Sequence, residues 1–143
     1  MEPIFRCATR KAIDELAQEL NLANEEWMQD WPIEVTNPYD IDRYLDHYRT
    51  LTDDDKKFVL MEGIIDATEN QTTDTLFIKN CEKVKLLLEK DFPIHAYTIY
   101  YWACFDIEDI DEWWKITPLI RKIWQDNHKR ICLIYQNTYL YNL

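Results

Sequence analysis

A chain of 143 residues that contains one glycine, Gly63, has little access to tight hairpins, bulges and glycine-rich loops. Those features put residues at positive φ, where glycine alone sits without steric cost. Helices tolerate glycine scarcity, so the fold class expected is all-α. At this length roughly 68% of the unfolded surface is buried on folding, enough for a core without staples, and a single helical domain over residues 1–143 is the expectation. Hydrophobic residues make up 47% and aromatic residues 14%, which supplies the large side chains that disordered acidic chains lack.

Caps and stripes place the helices. Thr9 precedes Ile13, Leu16, Ala17 and Leu20, spaced i, i+3, i+4, i+7, and predicts a helix to about Asn21. Asn24 before Glu25 and Glu26 predicts a short helix that ends ahead of Pro32, because proline disfavours helical backbone at the residue before it. Asn37-Pro38-Tyr39-Asp40 is a start signal for a helix with Ile41, Tyr44, Leu45 and Tyr48 on one face. Thr52-Asp53-Asp54-Asp55 starts the next, whose core face is Leu60, Met61, Ile64 and Ile65 with Phe58 near the edge, and there Gly63 either marks a close helix approach, the favoured reading, or is simply tolerated. Residues 73–90 carry Phe77, Cys81, Val84 and Leu88 at helical spacing, with Leu87 widening the stripe. Residues 94–105 are apolar nearly all round and fit a buried helix or a buried strand, with the helical context favouring the first. Residues 106–115 read as a short acidic helix, and Thr117-Pro118 caps another bearing Leu119, Ile120, Ile123 and Trp124. The tail over 131–143 reads equally as helix or strand. Helix starts at Pro38, Asp74 and Ile107 lie 36 and 33 residues apart, a hint of HEAT-like stacked helix pairs, but the partner helices break the rhythm. A compact, irregular multi-helix domain is preferred.

Familiar catalytic chemistry has no signature here. One glycine rules out GxGxxG and GxxxxGK[ST] phosphate cradles. An EF-hand loop beginning at Asp106 would have Ile110 as its fifth residue and Asp111 where glycine is required. His47, His95 and His128 are scattered and form no HExxH, so neither a metal nor a cofactor is expected. Phosphate contacts need a basic face, and Lys79, Lys83 and Lys90 are interleaved with acids, so direct nucleic-acid binding is not expected either. Cys7, Cys81, Cys104 and Cys132 include no CxxC pair and lie in apolar surroundings, which suits reduced, buried thiols of an intracellular protein. The first ten residues have no apolar h-region and the longest apolar stretch is too short to span a bilayer, so a cytoplasmic protein without a membrane role is expected.

Charge is the positive signal. Residues 1–55 carry 14 acids and 5 bases, a balance of −9 within a net −11, and residues 24–55 alone reach −8 from 10 acids and 2 bases. Helix capping accounts for some of these carboxylates. The candidate partner-binding acids over 24–55 are Glu25, Glu26, Asp30, Glu34, Asp40, Asp42, Asp46, Asp53 and Asp54, and of these Glu25, Asp30, Glu34, Asp42 and Asp46 include several beyond any first turn and are not matched by nearby Lys or Arg. A second run, Asp106, Glu108, Asp109, Asp111 and Glu112, puts five acids in seven residues. Like charges crowded together raise the local potential by several kT, and a basic protein partner is the ligand that such a surface suits. Of the six tryptophans, most are expected in the core.

In length, acidity, aromatic richness and lack of catalytic motifs the chain resembles the small acidic immunity proteins with which bacteria neutralise contact-dependent or polymorphic toxins. That resemblance implies a non-catalytic protein that binds a cognate nuclease-type toxin domain, whose cationic cleft would meet the carboxylates. Two alternatives compete. A DNA mimic would need its charge arrayed along an elongated surface, whereas residues 56–143 are nearly balanced, with 13 acids and 11 bases. A small enzyme would need an aromatic pocket around Tyr97, Tyr100, Tyr101 and Trp102 with His95 as base.

Overall fold

Helices account for the regular structure of the chain in the computed structural model, which describes residues 2–131. Seven α-helices can be bounded among them: α1 (Arg10–Leu20), α2 (Trp31–Val35), α3 (Ile41–Thr50), α4 (Asp54–Glu69), α5 (Asp74–Lys90), α6 (Phe92–Trp102) and α7 (Thr117–Asn127). Short 3-10 turns cover Pro38–Asp40 and Ile110–Glu112, and no strand occurs among the described residues. The all-α expectation therefore holds, and residues 94–105 resolve as helix through Trp102. Most of the tail, 132–143 with Cys132, lies outside the described residues. The backbone groups into two compact units, residues 6–84 and residues 1–5 with 85–143.

In the first unit α4 is the hub, and α1, α2 and α3 all pack against it. Its sequence explains why. Phe58, Val59, Leu60, Met61, Ile64, Ile65, Ala67 and Thr68 are all buried, so the helix is covered over far more than one stripe. This is a hub with satellites rather than a stack of helix pairs. Local chemistry sets the ends of the satellites. Thr9 Oγ accepts from the Ala12 amide at 3.2 Å, and Asn21 closes α1 in the left-handed conformation at φ 52°. Asn37 accepts from the Asp40 amide at 3.1 Å and leads through the 3-10 turn into α3, whose Ile41, Tyr44, Leu45 and Tyr48 are buried as their spacing predicts. Asp53 caps α4 by accepting from Lys56 N at 2.9 Å.

Lys56 also ties α4 to α1, with its Nζ 2.9 Å from Glu15 and 2.7 Å from Glu19. His47 Nε2 lies 3.2 Å from the other oxygen of Glu19, so His47 belongs to this polar cluster rather than standing free in solvent. Burial pushes the Glu19 pKa upward, but the Lys56 and His47 hydrogen bonds outweigh it and leave it lowered.

The helix expected between Asn24 and Trp31 is absent. Residues 22–30 form a loop, and the short helix begins at Trp31 with Pro32 in its first turn. Proline lacks the amide that an interior helical residue donates, and in the first turn that amide would go unused. Pro32 thus starts a helix instead of stopping one. Asn24 serves as a strut rather than a cap: its side-chain amide donates to Asp14 at 2.9 Å and its oxygen accepts from Arg10. Trp31 is then buried with its indole N–H donating to Ala23 O at 2.7 Å, which anchors the loop from its far end.

Gly63 permits the approach of α2 to α4. A Cβ on Gly63 would sit 2.6 Å from Thr36 Cγ2 and 3.0 Å from the Pro32 carbonyl oxygen. Both contacts are inside van der Waals range, so the one glycine of the chain is used for packing and not for a turn.

In the second unit α6 packs on α7. Thr117 does not cap α7: its hydroxyl donates to Trp102 O at 2.9 Å and ties the start of α7 to the end of α6. Cys104, at φ 51°, is the left-handed residue just beyond α6, a position that glycine usually takes. It turns the chain so that Ile107 N donates back to Cys104 O at 3.0 Å. Arg121 holds that corner, with its guanidinium donating at 2.7 Å to both the Ala103 and Cys104 carbonyls. The acidic stretch that follows forms only the turn Ile110–Glu112 and not the short helix expected of it. Asp109 accepts there from the Asp111 amide at 3.0 Å, a closure that a single turn satisfies without further helix.

Candidate functional site

The acids singled out in the sequence divide into paired and unpaired sets. Asp42 meets Lys83 of α5 at 3.2 Å, Asp46 meets Arg49 at 3.1 Å and Asp40 meets Arg43 at 3.5 Å. Asp42 and Asp46 thus have cationic neighbours where none is expected from the sequence, and Asp40 is paired as well. Asp53 is spent on the α4 cap, and Asp54 is exposed in the first turn of that helix. Glu25, Glu26, Asp30 and Glu34 are exposed, and none of them forms an ion pair among the described residues. Glu34 does accept from the Asp30 amide at 3.2 Å, which holds the first turn of α2.

Trp27 sits inside that unpaired set and is 70% exposed. Three tryptophans, Trp31, Trp102 and Trp124, are buried as expected, and Trp113 and Trp114 are half-buried. Trp27 departs from the expectation because residues 22–30 form a loop with no inward-facing helical stripe to bury it. A turn closed by Met28 N donating to Glu25 O at 3.1 Å carries it at the surface. Tyr39, 84% exposed beside Asp40, is a second outlying ring and borders a shallow cleft of about 160 Å³ with Asp42 and Lys79.

Two acids missed in the sequence extend the unpaired set. Glu62 and Asp66 lie one turn apart on α4, half-buried, and both feel the Asp30 carboxylate. Burial first, and Asp30 second, push the Glu62 pKa up from 4.5 to about 7. Burial, then Glu69, and finally Asp30 raise that of Asp66, against a lowering hydrogen bond from Asn70. The i, i+4 spacing of Glu62 and Asp66 was readable, whereas their proximity to Asp30 follows from α2 lying on α4. Asp30 is thereby set against two further carboxyl groups of α4, and Glu62 is about half protonated at neutral pH.

The second acidic run belongs to the other unit. Glu108, Asp109, Asp111 and Glu112 are exposed around the turn at Ile110–Glu112, with Ile110 exposed among them. Asp106 borders an open cavity of about 470 Å³ whose walls are largely aromatic. Tyr97, Tyr100 and Tyr101 line it, as the enzyme alternative would require, but Trp102 and His95 are buried and neither is part of its lining. Cys104 lines the cavity too and is buried, with Sγ 3.8 Å from the Thr117 hydroxyl. Cys81 is half-buried and Cys7 is exposed, so the apolar setting expected for the thiols does not extend to Cys7.

No cluster of three or more His, Cys, Asp or Glu side chains suited to a metal ion exists among the described residues. No helix among them is long and apolar enough to cross a membrane. The chain matches no protein-family model, no curated protein and no solved structure.

Proposed function

We propose that this is a non-catalytic, cytoplasmic binding protein that captures a basic protein partner on the loop between α1 and α2, in the manner of a bacterial immunity protein that neutralises a nuclease-type toxin. The observation that carries the reading is Trp27, 70% exposed among Glu25, Glu26, Asp30 and Glu34, which lack cationic partners among the described residues. Tryptophan is among the side chains that most often dominate interface energetics, and Trp27 is free to serve as such an anchor. Around it, unpaired carboxylates steer a cationic protein and can hold arginine side chains against the ring. Asp42 and Asp46 move to a secondary role, since their charge is already answered by Lys83 and Arg49.

The test separates anchor from field. In affinity capture from a lysate of the source organism, the wild-type protein is expected to retain a basic protein. Trp27→Ala should weaken its capture by about 2 kcal/mol or roughly thirtyfold through faster dissociation. Glu25→Gln/Glu26→Gln/Asp30→Asn should instead slow association and flatten its salt dependence, because exposed charges act mainly on the encounter rate. Each of these surface substitutions is expected to change folding stability by no more than about 0.5 kcal/mol. Unchanged capture by both variants would remove this loop as the binding site.

A further inference from the structure

Quite apart from the acidic loop, the cavity of the second unit has the composition of a cation receptor. We infer that it binds a small free organic cation, an ammonium or guanidinium with a short apolar body, between Tyr97, Tyr100, Tyr101 and Trp114, with the carboxylates of Glu2 and Asp106 as counter-ions. Its volume, about 470 Å³, is in the range of small-ligand pockets and larger than one protruding side chain fills, which favours a free molecule.

Aromatic rings attract cations through their quadrupole, and quaternary ammonium ligands are recognised in this way. Two ring pairs contribute to the lining, Tyr101 with Trp114 at 5.7 Å between centroids and Tyr100 with Phe105 at 5.4 Å. No Lys, Arg or His is part of the lining, and the two ionisable side chains that are acidic, Glu2 and Asp106, lie near enough to Tyr100 to act on its hydroxyl. Burial, then those two carboxylates, raise the Tyr100 pKa, the sign expected of a cavity at negative potential. One lining ring, Phe105, already meets a cation. The Arg121 guanidinium lies 3.7 Å from the Trp113 ring centroid and 5.0 Å from that of Phe105, and it is committed to the Ala103 and Cys104 carbonyls. Tyr97, Tyr100, Tyr101 and Trp114, with Glu2 and Asp106, line the cavity with no Lys, Arg or His among the lining side chains.

The probes are choline, agmatine and 3,3-dimethylbutan-1-ol, the last an uncharged isostere of choline, titrated into the intact protein and followed through the indole N–H resonance of Trp114. Saturable binding is expected for both cations, with choline about tenfold tighter than the alcohol. Tyr101→Leu is conservative at a ring 58% exposed and should weaken choline about tenfold while the fold is retained. Glu2→Gln/Asp106→Asn should weaken choline and leave the alcohol unchanged. Equal affinity for choline and the alcohol, no saturable shift with either cation, or binding confined to an arginine-bearing peptide would each overturn the inference.

Discussion

Gly63→Ala is expected to destabilise the protein, although alanine is the better helix former by about 1 kcal/mol. The added methyl would lie 2.6 Å from Thr36 Cγ2 and 3.0 Å from Pro32 O. Thr36 cannot simply swing away, because its hydroxyl donates to that same Pro32 carbonyl at 2.6 Å. Nor can the carbonyl, which is backbone within a helix started by proline. Overpacking a seam of this kind costs about 1–3 kcal/mol, so the propensity gain is offset and a net loss of about 1 kcal/mol remains. Gly63→Val, with two further methyl groups and poorer helix propensity, should lose about 3 kcal/mol or more. Thr36→Ser removes Cγ2 and keeps the hydroxyl, so combining it with Gly63→Ala should recover about 0.5–1 kcal/mol relative to the sum of the single changes. Urea denaturation of the four proteins in that cycle measures the coupling. If Gly63→Ala raises stability and the cycle shows no coupling, α2 does not approach α4 as described.

The elements that the sequence disclosed are those whose local and tertiary requirements agree. Thr9, Asn37 and Asp53 each offer a side-chain acceptor to an orphan amide, and a face of apolar residues follows each, so α1 and α4 begin where caps and stripes place them, whereas Asn37 caps a 3-10 turn and α3 begins only at Ile41. Where a residue type supports two roles, local rules alone point the wrong way. Pro32 ends or begins a helix according to which side supplies the packing, and Trp31, buried on α2, decided in favour of the start. Thr117 was spent on the Trp102 carbonyl, a partner 15 residues away that no cap rule contains. The same holds for Asn24, taken by Arg10 and Asp14 of α1.

The charge excess was legible and its distribution was not. Pairs such as Asp40 with Arg43 and Asp46 with Arg49 are three residues apart and could have been discounted from spacing alone, whereas Asp42 with Lys83 spans 41 positions. Removing those pairs concentrates the unanswered charge on the loop around Trp27. The cavity beside Tyr101 was visible only as a run of rings, because its other walls, Glu2 and Trp114, come from distant parts of the chain.

Folding stability should rise as pH falls from 8 to 6, and most of that rise should disappear in Glu62→Gln. Glu62 titrates near 7 in the folded protein against 4.5 as its ordinary value. Between those values the native state holds a proton that the unfolded state has released, so ∂ΔG/∂pH of unfolding is negative, and the cost is fully present once pH exceeds about 7. A shift of that size corresponds to at most about 3 kcal/mol, and Glu62→Gln at pH 8 should recover up to that amount. Asp66, raised for similar reasons, acts in the same direction at lower pH. Glu19, held low by Lys56 and His47, acts oppositely and only as pH falls below the ordinary carboxylate range. Asp30→Asn removes the second cause of the Glu62 shift and leaves burial, so it should shrink the pH dependence without abolishing it. A cationic partner bound beside Asp30 would draw Glu62 back to its ionised form, releasing a proton near pH 6.5 and tightening as pH rises. Denaturation of wild type and Glu62→Gln at pH 6, 7 and 8 tests the folding half, and calorimetric binding in buffers of different ionisation enthalpy tests the linkage. Parallel stability profiles for the two proteins would mean that Glu62 is ionised in the fold, and with it would go the proton release.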